Sequence, residues 1–129
     1  FELMPRIGLD FVLAHIPGTT DPFAAQHPWY VLAEIASSAG REHLRSALES
    51  TLATATDRGL VSDGVLSMSD QQARALWKLR ESLSEAQKRE GGSIKHDISV
   101  PVSRIADFLT AFSSRRGPHQ NDEIMNRGS

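Results

Sequence analysis

The stretch Leu76-Trp77-Lys78-Leu79-Arg80-Glu81-Ser82-Leu83-Ser84-Glu85-Ala86-Gln87-Lys88-Arg89-Glu90-Gly91-Gly92-Ser93-Ile94-Lys95-His96-Asp97-Ile98-Ser99-Val100-Pro101 carries two hydrophobic periods in succession. Before the glycine pair, Ala73, Leu76, Leu79, Leu83 and Ala86 form one helical stripe. After it, Ile94, His96, Ile98 and Val100 share one strand face, and Lys95, Asp97 and Ser99 share the other. Ser69 and Gln72 have the spacing of a capping box, so the helix is predicted to start there, with Asp70 at the positive end of the macrodipole. Gly91-Gly92 stops it and turns the chain back. A helix running into a strand points to a mixed α and β architecture.

The same stretch carries the candidate chemistry. At about 100° per residue, Arg80 and Ser84 lie about 40° apart, beside the apolar stripe and bordering the core. A guanidinium and a hydroxyl one turn apart offer a fork of N–H donors plus one O–H donor to the same anion, which suits a carboxylate. Beyond the glycine stop, Lys95 can bring a point charge to the same place. The ordinary alternative is a solvated or ion-paired arginine on a helix flank. His96 and Asp97 are neighbours in a strand and point to opposite sides, so they read as structural rather than as a catalytic dyad.

Working outward, Phe1 to Met4 reads as the end of an element that began upstream, and Pro5 suits a first helical turn. Leu9, Val12, Leu13 and Ile16 keep the spacing of one buried helical face, which Pro17-Gly18 ends. Thr19 to Pro28 reads as a connecting loop. Trp29 to Ala36 is the clearest strand, with Val31, Ala33 and Ile35 on one face and Tyr30, Leu32 and Glu34 on the other; Glu34 is expected at an edge or open face with an ion-pair partner. A helix over roughly Glu42 to Arg58 should bury Leu44, Ala47, Leu48, Thr51 and Ala55 and end at Gly59 as its C′ residue. Val61 to Met68 alternates loosely and is predicted as a second strand. Ser103 should cap a last helix with Ile105, Phe108, Leu109 and Phe112 in one stripe. From Ser113 the composition turns polar, so residues 113–129 are expected to form a disordered tail. His119, Asn121, Asp122 and Glu123 look like metal ligands, but such a segment lacks the rigid outer shell that fixes them, and no metal site is expected.

The order strand, helix, strand, helix, strand, helix predicts an α+β sandwich of ferredoxin-like type, an antiparallel sheet covered by helices and truncated relative to a full domain. With 129 residues and 40% apolar content, one domain with a modest core is expected. The 14 basic and 16 acidic residues leave a formal charge of -2, so neither nucleic acid nor an anionic membrane is an expected partner. The absence of cysteine excludes disulfides, thiolate metal sites and a cysteine nucleophile. No apolar run is long enough to span a bilayer, and no signal segment is read, so the expected location is cytoplasmic. The chain does not begin with methionine and reads as a piece of a longer protein. A truncated sheet exposes an edge, so a homo-oligomer paired through that edge is expected.

The run Leu76-Trp77-Lys78-Leu79-Arg80-Glu81, with Gly91-Gly92-Ser93-Ile94-Lys95-His96-Asp97-Ile98-Ser99-Val100-Pro101-Val102 after it, resembles the C-terminal substrate domain of the FAD-linked oxidase family. That family, within the vanillyl-alcohol oxidase superfamily, includes D-2-hydroxyglutarate, D-lactate and glycolate dehydrogenases. The similarity covers residues 1–112. The resemblance implies that Arg80, Ser84 and Lys95 hold the carboxylates of a small 2-hydroxy acid. Ser84 stands where the D-2-hydroxyglutarate members have threonine, which keeps the hydroxyl and loses a methyl. It also implies oxidation of a D-2-hydroxy acid by hydride transfer to flavin N5. No glycine-rich flavin segment occurs, and the family's downstream Gly-His-x-Gly-Asp-Gly-Asn-x-His motif is absent. FAD is therefore expected on a missing FAD-binding domain of the same protein, not on this chain, which alone should not turn over. The alternative is a non-catalytic ferredoxin-like binding or interaction module.

Overall fold

Leu9, Val12 and Ile16 fall on one face of helix α1 (Arg6–His15) and its C-cap, and all three are buried. Burying each such side chain contributes about 1.5–3 kcal/mol, so this stripe fixes which way α1 faces. The computed structural model describes residues 1–38, 40–92 and 99–114. Residues up to Ser93 form one unit and those from Ile94 a second.

In the first unit, strand β1 (Glu2–Pro5) runs into α1 without a loop, Pro5 serving as both last strand residue and N-cap. Pro5 thus sits just ahead of the first turn, where its missing N–H costs nothing. The Arg6 N–H, an orphan donor of that turn, finds the Pro28 carbonyl at 3.0 Å. Strand β2 (Trp29–Leu32) pairs antiparallel with β1, in the register Glu2 to Leu32, Leu3 to Val31, Met4 to Tyr30 and Pro5 to Trp29. Side chains alternate across the pleat, so Met4 and Tyr30 enter the core while Leu3, Trp29 and Val31 stay exposed.

Helix α3 (Asp70–Glu81) and helix α4 (Leu83–Arg89) complete this core with Leu79 and Ala86, and Leu83 packs against it. A Cβ on Gly8 would stand 3.0 Å from Leu83 Cδ2, so the bare glycine lets α4 lie close on α1. Lys78 Nζ donates to the Pro17 carbonyl at 2.8 Å and Arg89 to the His15 carbonyl at 2.9 Å, satisfying acceptors at the end of α1. Helix α2 (Arg41–Asp57) ends as expected: Arg58 is the C-cap and Gly59 takes φ +68°, while the Gly59 and Leu60 N–H groups bond Thr56 and Ala55 carbonyls at 2.9 Å. This is a Schellman closure, and the left-handed residue favours glycine.

The architecture is α+β, five helices and a two-strand antiparallel sheet among the described residues. A ferredoxin-like strand order is not formed by these two strands. The ladder ends at the Glu2–Leu32 pair, so Glu34 lies exposed beyond it rather than in it. Val61 to Met68 is not a strand: Val65 and Met68 are exposed, and alternation without a face to bury does not recruit a partner. The α2 face is also less buried than predicted: Leu44, Leu48, Leu52 and Ala55 are half-buried, whereas Ala47 and Thr51 are exposed. The third predicted strand falls largely on residues 93–98, outside the described residues; Ser99 and Val100 are irregular.

The second unit enters helix α5 (Ile105–Ser114) through a 3-10 turn at Val102–Arg104. Ser103 lies inside that turn rather than at a cap. Phe108 and Phe112 stack at 5.9 Å between ring centroids, as residues four apart on a helix should. The helix runs two residues past the expected boundary at Phe112, and residues 115–129, including His119, Asn121, Asp122 and Glu123, lie outside the described residues. Among the described residues, no helix is long and apolar enough to cross a membrane.

Candidate functional site

The start of α3 is fixed locally. Ser69 Oγ accepts from the Gln72 N–H at 3.2 Å, and Gln72 Oε1 accepts from the Met68 N–H at 2.6 Å, one residue earlier than in a standard box. With the start set, burial of Leu79 orients the last turn, and the next residue, Arg80, falls at the margin of the core. Arg80 is half-buried. Its Nη2 donates to Glu2 Oε2 on β1 at 3.2 Å, with both side chains 41% exposed. A single contact at that exposure is worth about 0.2–1 kcal/mol, so the pair does little for stability. It does hold the guanidinium while leaving most of its N–H donors unused among the described residues.

Ser84 occupies the first turn of α4, exposed and without a side-chain hydrogen bond among the described residues. The predicted single helix is broken at Ser82, which has φ −81° and ψ −7°. The step from Arg80 to Ser84 therefore crosses a junction, and the spacing of an unbroken helix does not carry over unchanged. Two bonds bracket the junction, from the Ser82 N–H to the Lys78 carbonyl at 3.1 Å and from the Ala86 N–H to the Ser82 carbonyl at 2.9 Å, so the chain direction continues. Lys95 lies outside the described residues, as do His96 and Asp97. An open hollow on α3 is lined by Arg74, Trp77 and Glu81 and takes in neither Arg80 nor Ser84.

Sequence reasoning passed over two polar residues that organise this unit. The first is Glu2, whose only signal is its place two residues before buried Met4, on the inner face of β1. The second is Arg6. Its Nε donates to Asp10 at 2.7 Å, and its Nη1 donates to Asp21 at 2.6 Å and to the Tyr30 hydroxyl at 2.8 Å. Burial disfavours the Arg6 charge, but the bonds from Tyr30, Asp21 and Asp10 outweigh it and push the guanidinium above its ordinary value. The Tyr30 hydroxyl also accepts from the His27 N–H at 2.9 Å, so Arg6 ties the Thr19 to Pro28 loop to the sheet. His27 packs edge-on against Phe23 and Tyr30. Its ring nitrogens face Ser62 at 3.5 Å and Asp63 at 3.3 Å, long contacts that brace a surface turn rather than prime a nucleophile.

One arrangement that cradles a diphosphate is a glycine-rich turn leading into a helix N-terminus, and the described residues do not form it. Gly18, Gly59 and Gly91 each follow a helix instead, and Gly40, which does precede α2, is followed by Glu42 in the first turn, whose charge repels a phosphate. Among the described residues, no cluster of three or more His, Asp or Glu can hold a metal ion.

A family model described as "FAD linked oxidases, C-terminal domain" matches residues 1–125. The D-2-hydroxyglutarate dehydrogenase of Xanthomonas citri pv. viticola is 44% identical over 109 residues, covering 84% of this chain and 22% of that protein. The mitochondrial D-2-hydroxyglutarate dehydrogenase of Arabidopsis thaliana is 33% identical over 121 residues, 94% of this chain and 22% of that protein. A mitochondrial Schizosaccharomyces pombe protein provisionally named a D-lactate dehydrogenase is 31% identical over 116 residues, 89% of this chain and 22% of its own length. The chain thus spans about a fifth of the length of the curated relatives it matches.

Proposed function

Since the chain belongs to the C-terminal domain family of the FAD linked oxidases, we propose that it is the substrate-binding part of a flavoprotein that oxidises a D-2-hydroxy acid to the 2-oxo acid. The observation that carries this reading is Arg80: a half-buried guanidinium at the rim of the core, tethered on one side and, among the described residues, open on the other. Arg80 grips the substrate carboxylate, Ser84 adds a hydrogen bond, and Lys95 adds charge. Their work is orientation: a carboxylate held by a fork has one direction in which its Cα–H can point, and such positioning accounts for much of an enzyme's rate. FAD and the metal-linked chemistry of the family belong to the rest of the longer polypeptide, with which this chain assembles; the chain alone is inactive. Missing strands from that polypeptide extend the sheet toward a ferredoxin-like layer. In isolation, the edges of β1 and β2 that have no strand partner among the described residues join copies into a homo-oligomer, which sedimentation across the micromolar range tests; a monomer throughout excludes it.

Titrating the chain with D-2-hydroxyglutarate, D-lactate and glycolate by NMR tests the assignment. Shifts clustered at Arg80, Ser84 and Lys95, abolished by Arg80→Ala, are expected. The Glu2 ion pair also fits a second reading, a non-catalytic interaction module in which Arg80 is merely structural. That reading predicts shifts that ignore Arg80.

A further inference from the structure

We infer that Glu2 is a positioning residue that presents Arg80 to the carboxylate of the substrate, an inference that rests on the reading of Arg80 above. Glu2 belongs to no predicted site. It sits on β1 directly opposite Leu32, on the same face as buried Met4, so the sheet fixes where its carboxylate projects. From there Oε2 reaches Arg80 Nη2 at 3.2 Å across to α3, a link between residues 78 positions apart. Arginine has a long, freely rotating stem, and immobilising it costs binding energy whenever it must be done by the ligand. Glu2 meets that cost in advance. The contact engages one N–H of one terminal nitrogen, so among the described residues a full edge of the guanidinium remains for a second carboxylate in fork geometry.

Two effects of Glu2 oppose each other. Its negative charge repels an incoming anion, and its hydrogen bond orders the receiving group. At 41% exposure water screens the repulsion, whereas orientation is not screened. Orientation therefore dominates, and removing Glu2 should weaken carboxylate binding rather than strengthen it.

The test combines two readouts on the full chain. NMR relaxation and water exchange of the Arg80 Nε–H group report whether the side chain is held, and a D-2-hydroxyglutarate titration reports affinity. Glu2→Ala should mobilise Arg80 and weaken binding by up to roughly fivefold, the most that an exposed ion pair can contribute by ordering the arginine stem in advance. Glu2→Gln, which keeps an acceptor oxygen, should restore most of both. Backbone amide spectra identify any variant that fails to fold, and Glu2→Asp then supplies the weakened tether in its place. An Arg80 that stays ordered in Glu2→Ala overturns the proposal. So does tighter or unchanged binding when Arg80 is mobilised. If affinity is unaffected by Arg80→Ala, or if no ligand binds, the carboxylate reading itself fails, and this positioning role falls with it; the order of Arg80 still shows separately whether Glu2 tethers it.

Discussion

Replacing Arg6 with alanine should destabilise the first unit by about 2–4 kcal/mol. The Asp10 contact is an exposed i,i+4 pair worth about 0.3–0.5 kcal/mol. The Asp21 and Tyr30 contacts differ: the Arg6 and Asp21 side chains are only 16% and 23% exposed, and the Tyr30 ring is buried. A hydrogen bond to a charged group in such surroundings is worth about 1.5–3 kcal/mol, and its loss leaves Asp21 and the Tyr30 hydroxyl short of a partner. Urea unfolding followed by circular dichroism and by fluorescence of Trp29 and Trp77 measures the cost. A double-mutant cycle with Asp21→Asn should give a coupling of about 1.5 kcal/mol or more. The raised Arg6 pKa sets the pH dependence: its stabilisation is complete below the unfolded value and lost only as pH rises through the higher folded one. The cost should therefore be the same at about pH 7 and about pH 9. A loss under about 0.5 kcal/mol, or additivity with Asp21→Asn, would refute the argument that Arg6 ties the loop to the sheet.

Leu79→Ala removes a side chain that is 4% exposed and should cost about 2–5 kcal/mol by the same denaturation assay; a loss below about 1 kcal/mol would mean that α3 is not docked through this residue. Gly59→Ala forces a left-handed alanine at φ +68° and should cost about 1–2 kcal/mol, read as fraying at the end of α2 in amide exchange. Ser69→Ala removes the cap of α3 and should cost about 1 kcal/mol, with amide protection lost first at Gln72.

What was legible in the sequence was local. The α1 stripe, the Ser69 cap and the Gly59 closure each depend on residues within a few positions of one another, and all three stand where periodicity and capping put them. What was not legible was pairing across distance. Nothing near Arg6 announces Asp21 and Tyr30, and nothing near Arg80 announces Glu2. Both follow from a register that only the folded sheet defines. The Val61 to Met68 error has the same root, since alternation states a capacity to pair and not the presence of a partner. Ser82 interrupts a run whose apolar spacing is unbroken, because stripe positions say nothing about backbone geometry at the polar residues between them. As for the candidate site, the sequence named Arg80, Ser84 and Lys95, of which Lys95 lies outside the described residues, and passed over the carboxylate that holds Arg80.

The central claim is that Arg80 binds the carboxylate of a 2-hydroxy acid, and kinetics of Arg80→Ala in the longer flavoprotein proposed to carry this chain test it most directly. A charged hydrogen-bond pair worth about 3 kcal/mol predicts a loss in kcat/KM of roughly a hundredfold or more, with the fold and the bound flavin intact. Unchanged kcat/KM for every D-2-hydroxy acid tried would contradict the claim and leave Arg80 as the surface partner of Glu2.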